Sequence, residues 1–232
     1  ICVWDLTSGL QLVSHKVLNQ IYSIDYTETG EWFVTCGERH LKYWYLSSPM
    51  YGVEAILEGR PASILDEHKD ATFLDVRCGR GEHASAVYTT TSTGLLCTFS
   101  SARLMERWVQ LDAQTAYCID LVRSCVAVGC DNGTVRLFDL TSLEYIETLP
   151  HPIPQHESPS RRYAAAVGCR FVGDEKLVCL YADRSTVVWD IHDPRNITRI
   201  RSTLAHRDCI WDIQFISAGV KLDQTGENSL DE

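Results

Sequence analysis

The residues best equipped for chemistry are the histidines and the ten cysteines, together with one basic, proline-rich stretch. His15, His68 and His206 each precede an apolar strand pattern. His151 and His156 flank Pro-Ile-Pro-Gln. Two histidines five apart, with no cysteine or fixed carboxylate beside them, make a poor metal site. No Cys-x-x-Cys occurs, which removes the usual zinc and redox spacings. Most cysteines sit inside strand patterns, as in Trp32-Phe-Val-Thr-Cys36 and Leu177-Val-Cys-Leu180, and read as small core hydrophobes of a reducing compartment. Gly79-Arg-Gly81 lacks a Walker lysine, and no nucleophile elbow appears. Asn132-Gly-Thr134 and Asn196-Ile-Thr198 match the glycosylation pattern by chance in such a compartment. No catalytic residue, metal ligand or cofactor site is assigned.

One stretch is sharper. Glu157-Ser-Pro-Ser-Arg161 carries Ser-Pro with a base three places on, a pattern that suits proline-directed kinases. Phosphate on Ser158 would sit beside Arg161 and Arg162, where charge-assisted hydrogen bonds would order the loop. Ser158 is therefore the candidate phosphosite. Arg161, Arg162 and His156 are the candidate partner-binding residues.

The elements that position these groups are strands. Apolar segments end in tryptophan or a substitute at Ile1-Cys-Val-Trp-Asp-Leu6, Leu41-Lys-Tyr-Trp-Tyr-Leu46, Thr134-Val-Arg-Leu-Phe-Asp-Leu140 and Thr186-Val-Val-Trp-Asp-Ile191. Leu95-Leu-Cys-Thr-Phe-Ser100 is a degenerate fifth. From Trp4 through Trp44, Thr98 and Phe138 to Trp189 the steps are 40, 54, 40 and 51 residues. A period near 40 with a Trp-Asp ending is the signature of WD repeats, one four-stranded propeller blade per period. The predicted class is all-β: about four complete blades plus partial ones at both ends, an open arc cut from a larger array.

Blades are expected at about 13–70, 71–112, 113–163 and 164–205, with partial blades at 1–12 and 206–216 and a polar, disordered tail at 217–232. Asp131-Asn-Gly133 supplies the positive-φ residues of a tight hairpin. The surplus in the longer steps falls in 47–70 and 150–163, both read as connections from an outer strand to the next inner strand. Such connections share one face, which marks that face for binding. A WD blade braces its strands with a His, Ser/Thr, Asp and Trp network. Glu38 is expected to serve Trp44 and Asp183 to serve Trp189, with His15, His68 and His206 as braces. An enzyme of propeller form would need charged groups converging on the channel. The inner-strand residues Ile21, Ile24, Phe73, Val76 and Ile119 are instead apolar.

The net charge of −10 and a pI near 5.2 argue against nucleic-acid binding and against docking on anionic membranes. No apolar run is long enough to span a bilayer, and no charged-then-apolar leader appears. The chain opens inside a strand and reads as part of something longer. The expected partners are proteins and the rest of a parent propeller array.

Four stretches carry a resemblance: Gly37-Glu-Arg-His-Leu-Lys-Tyr-Trp-Tyr-Leu46; Gly59-Arg-Pro-Ala-Ser-Ile-Leu65; Ser92-Thr-Gly-Leu-Leu-Cys97 with Arg107-Trp-Val-Gln-Leu111; and Ala182-Asp-Arg-Ser-Thr-Val-Val-Trp-Asp190. Over roughly 17–215 the chain resembles the mitogen-activated protein kinase binding protein family of WD-repeat scaffolds, including its spindle-pole relative. The resemblance implies a long cytoplasmic scaffold with tandem propellers. It also implies roles in Jun N-terminal kinase signalling and at the centrosome or spindle pole, with kinase-cascade components or centrosomal proteins as partners. The alternative is an adaptor of another complex, a ubiquitin-ligase substrate receptor or a trafficking coat.

Overall fold

A computed structural model describes residues 1–47, 55–152 and 163–214. Among the described residues eighteen strands follow one another in chain order. β1 (Cys2–Trp4) and β2 (Gln11–Ser14) form a hairpin. Four four-stranded sheets follow, each an antiparallel meander with its strands in sequence order. The first sheet holds β3 (Ile21–Tyr26), β4 (Trp32–Gly37), β5 (His40–Ser47) and β6 (Ile56–Pro61). The second holds β7 (Phe73–Cys78), β8 (Val87–Thr91), β9 (Leu95–Phe99) and β10 (Met105–Gln110). The third holds β11 (Ala116–Val122), β12 (Cys125–Cys130), β13 (Val135–Asp139) and β14 (Tyr145–Thr148). The fourth holds β15 (Ala166–Val172), β16 (Lys176–Tyr181), β17 (Thr186–Asp190) and β18 (Thr198–Thr203). The all-β propeller-blade class read from the repeat stands.

The second and third strands of the second and third sheets are largely buried on both faces, because a neighbouring sheet covers each side. β4, β8, β9, β12 and β16 are each buried along almost their whole length. Val34, Cys36, Leu41 and Tyr43 of the first sheet pack against Phe73, Val76, Val87 and Phe99 of the second. Corresponding clusters join the second sheet to the third and the third to the fourth. Stacking of sheets thus provides the core that no single sheet contains.

The Trp-Asp ending has a separable reason for each residue. Trp44 and Trp189 fill the space between sheets and are buried. The aspartates build the turn that follows. Asp139 Oδ1 accepts the amides of Thr141 and Ser142 at 2.9 and 2.7 Å, and Asp190 Oδ1 accepts that of His192 at 3.0 Å. Asp5 does the same for Thr7. The Ser142 bonds hold the Asp139 carboxyl below its ordinary pKa.

All four inner strands carry a bulge at one position. Pairing skips Tyr22, Leu74, Tyr117 and Val167, each the second residue of the aligned strands that start at Ile21, Phe73, Ala116 and Ala166. The skipped residue pairs with nothing, and the strand bends there.

Two expectations change. The sequence pattern offers no outer strand for the first sheet, yet β6 supplies one, with Leu46 paired to Leu57 and Trp44 to Gly59. Glu58-Gly-Arg60 hides the strand because its centre is a glycine between charges. That glycine is required: a Cβ there would lie 2.6 Å from the Trp44 ring. The surplus at 48–54 therefore joins β5 to β6, the opposite end of the sheets from the 150–163 connection between β14 and β15. Only 62–72 and 150–163 share a face.

The braced network of the first sheet also differs. Trp44 Nε1 donates to Thr35 Oγ1 at 2.8 Å, and the same hydroxyl lies 2.7 Å from His40 Nε2. His40 supplies the imidazole, whereas Glu38 is exposed. His15 only abuts the Trp44 ring edge-on at 4.9 Å, and His68 abuts Trp108 at 5.1 Å. His206 is exposed. Asp183 caps its own turn through the Ser185 amide and hydroxyl. The buried Trp189 indole closes no hydrogen bond among the described residues. Trp44→Phe should cost about 2–3 kcal/mol, from lost volume and a stranded Thr35–His40 pair. Urea unfolding measures this, and an unchanged midpoint would refute the network.

Candidate functional site

The inner strands converge on a cavity of about 740 Å³. Its wall is mixed: Ile24 lines it, in keeping with the apolar inner strands expected from sequence, but charged residues of the same strands line it as well. The apolar residues Phe73, Val76 and Ile119 face between the sheets, buried. At the fifth residue of each aligned strand stand Asp25, Arg77, Asp120 and Arg170, opposite in sign from one sheet to the next, and all four line the cavity. Asp212, on the segment after β18, accepts from Arg170 Nη2 at 2.8 Å.

These charges tie sheet to sheet. Asp25 Oδ2 accepts the Cys78 amide at 2.7 Å, Asp75 Oδ2 the Ile119 amide at 3.0 Å, and Asp120 Oδ2 the Phe171 amide at 2.7 Å. Each carboxylate thus holds a backbone N–H of the following inner strand. Asp75 Oδ1 also accepts from the Ser23 hydroxyl at 2.7 Å and from Arg77 Nη1 at 3.1 Å, and Arg77 Nε reaches Asp120 at 3.4 Å. Desolvation raises the pKa of Asp25 and of Asp120, against the opposing pull of the Cys78 or Phe171 amide and of Arg77. Burial alone would lower the Arg77 pKa, but Asp75, Asp120 and Asp25 outweigh it and carry it above the usual guanidinium value. The cluster is chemically committed to bracing, since most of its acceptors already hold amides or guanidinium.

A second region lies on the face of the β4–β5, β8–β9, β12–β13 and β16–β17 turns. Corresponding turn positions hold Arg39, Gly94, Gly133 and Arg184, all with positive φ (44°, 74°, 77° and 74°). Glycine takes this conformation freely; an arginine there costs about 1–2 kcal/mol. Arg184 repays it by donating to the Arg207 carbonyl at 2.9 Å. Arg39 is exposed and makes no side-chain hydrogen bond among the described residues. At Gly133 a Cβ would lie 2.8 Å from that of Tyr163. Tyr163 in turn stacks flat on His151, 3.7 Å between ring centres, joining the two ends of the 150–163 connection. Burial lowers the pKa of His151.

His156, Ser158, Arg161 and Arg162 lie outside the described residues. Asn132 is occupied by its own turn, donating to the Asp112 carbonyl and accepting from the Thr134 amide and hydroxyl. All ten cysteines are free, and seven are fully buried. Burial pushes the Cys97 and Cys125 thiols up to about 12. Sequence reasoning missed Arg39, although a signal existed: it stands where Ser92-Thr-Gly94 and Asn132-Gly133 place glycine.

A WD40 family model, "WD domain, G-beta repeat", matches residues 8–45. The fold is that of WD-repeat propeller blades. It is 36% identical over 224 residues to "Mitogen-activated protein kinase-binding protein 1" of Mus musculus, covering 89% of this chain. The same protein of Homo sapiens is 35% identical over 89% of this chain, and "WD repeat-containing protein 62" of Sus scrofa is 29% identical over 88%. The segment spans 15% of the first two relatives and 14% of the third. The resemblance read from sequence holds, and WD-repeat scaffold families of this kind are generally non-enzymatic.

Among the described residues no group of three or more His, Cys, Asp or Glu is arranged to hold a metal ion, and no helix is long and apolar enough to cross a membrane. The Arg77 hub yields a pH-dependent expectation. Arg77→Met leaves three carboxylates facing one another and should cost about 3–5 kcal/mol at neutral pH. The folded-state pKa values of Asp25 and Asp120 lie above the reference 3.8. Their protonation thus favours the fold; that contribution is complete below the reference value and lost as pH rises through the folded value. Removing Arg77 raises both further, so the penalty should shrink as pH falls toward about 4. Urea midpoints of both proteins across pH test this, and a constant difference would refute it.

Proposed function

We propose that the segment is a noncatalytic protein-interaction platform within a longer scaffold of mitogen-activated, notably Jun N-terminal, kinase signalling. We extend this to centrosome or spindle-pole organisation, with the protein acting in the cytoplasm. The observation that carries the reading is 36% identity across 89% of the chain to a protein named for binding a mitogen-activated protein kinase. The chemistry of the site supports a binding role. The channel carboxylates are engaged in backbone and guanidinium bonds, so no pair is left as acid and base. The working face is the one bearing Arg39 and the 150–163 connection. A strained, solvent-facing arginine with no hydrogen-bond partner among the described residues suits contact with an acidic or carbonyl-rich surface.

Arg39→Gly should leave thermal stability equal or higher, because the left-handed cost disappears. It should also remove a subset of proximity-labelled neighbours of the full-length protein. Replacing 150–163 by Gly and Ser should remove neighbours as well, kinase-cascade or centrosomal proteins among them. If both variants label the same set as the parent, this face is not the platform.

A further inference from the structure

Each four-stranded sheet ends in an outer strand that pairs on one side only: β6, β10, β14 and β18. Such an edge presents outward N–H and C=O groups with which a further strand can pair. Three of the four are blunted. β6 sets a bonded Glu58–Arg60 pair about Gly59 and ends in Pro61, which has no N–H. In β10 the Met105 amide donates outward, to the Ser63 carbonyl of the crossing segment, at 3.0 Å. In the four-residue β14 the Glu147 carboxylate takes the Thr148 amide at 2.9 Å. The third sheet has a neighbour on each side, yet β14 pairs with no strand beyond β13. Stacking therefore covers faces and leaves outer edges open.

β18 has none of these devices. Its six residues, Thr198-Arg-Ile-Arg-Ser-Thr203, include no proline, glycine or acid, and the first five are exposed. Among the described residues none of its amides is taken from outside its own sheet. Its charge has one sign. From 194 to 207 the chain carries Arg195, Arg199, Arg201 and Arg207 and no acid, although the whole chain has a net charge of −10. Neither Arg199 nor Arg201 makes an ion pair or a side-chain hydrogen bond among the described residues.

The ladder sets the spacing that a partner must match. Arg201 pairs with Val188 and Arg199 with Trp189, while Ile200 is skipped. The two arginines thus oppose consecutive residues and point to opposite faces. On the outer side the same skip sets them against two adjacent residues of any regular strand added there. A second copy of β18 is rejected, because antiparallel pairing about Ile200 would set Arg199 against Arg201 twice.

We infer that β18 is a strand-addition site for an extended acidic segment of a partner protein, in which two consecutive carboxylates meet Arg199 and Arg201. Backbone hydrogen bonds along the edge supply the affinity. The arginines supply register and selectivity through charge-assisted bonds. This edge shares no residue with the Arg39 face, so either can fail alone.

The test uses the full-length protein and fluorescein-labelled peptides, titrated by fluorescence anisotropy. Val-Thr-Val-Glu-Glu-Val-Thr-Val should bind. Val-Thr-Glu-Val-Glu-Val-Thr-Val, with equal charge but both acids on one face, should bind about tenfold more weakly. N-methylation of one alternate set of peptide amides should abolish binding and of the other set leave it, because only one set faces β18. Arg199→Glu combined with Arg201→Glu should keep the melting temperature, lose the Glu-Glu peptide and gain its Lys-Lys counterpart. If that variant melts early, Arg199→Gln with Arg201→Gln replaces it and should lose the Glu-Glu peptide. Arg39→Gly should leave peptide binding unchanged. No binding at millimolar peptide, equal affinity for the two spacings, or equal effects of the two N-methylated sets would overturn the inference. So would self-association, or capture of phosphatidylserine vesicles, in place of peptide binding.

Discussion

A carboxylate on one inner strand holding a backbone amide of the next is the contact on which the arrangement of sheets depends. Apolar burial drives the sheets together, but it is non-directional and would tolerate sliding. Asp25, Asp75 and Asp120 fix the offset, because each must find one particular N–H across the gap. Arg77 makes the fixing tolerable by compensating acids on three strands at once. Such pairs are a weak source of net stability, since desolvation offsets their attraction. Their effect here is on register, and the outer strands can then pack on apolar surface alone.

The fold was largely legible because strand period and Trp-Asp spacing are local signals. Trp44 and Trp189 announce third strands, and the aspartates after Trp4, Phe138 and Trp189 announce turns. β6 was illegible because Glu58, Gly59 and Arg60 have no alternation. Its place is set by the Trp44 ring, a neighbour distant in sequence. The network histidine was misread for a similar reason. His40 is adjacent to a turn and looks like a solvent residue, and only the pairing of β4 with β5 brings it onto Thr35.

The site was less legible than the fold. Reading the inner strands by their apolar members overlooked the charged residues alternating with them, because a charge in a strand ordinarily means a solvated face. Whether Asp25 meets Arg77 depends on how two sheets align, and no single repeat contains that information. Arg39 needed a comparison of four turns at equal register. A family resemblance named the class of partner expected, but it could not distinguish a surface arginine from one braced against a carbonyl.

The repeated bulge has a consequence for how such a channel can vary. Tyr22, Leu74, Tyr117 and Val167 line the cavity at the skipped position and answer to no partner across the ladder. A residue that pairs with nothing can be exchanged without retuning its neighbours. Two tyrosines, a leucine and a valine already occupy what is structurally one place. The wall is therefore divided into a constrained tier of alternating charge and a free tier of interchangeable side chains. Chains of this architecture can recolour the lining of the channel while leaving the frame that holds it unaltered.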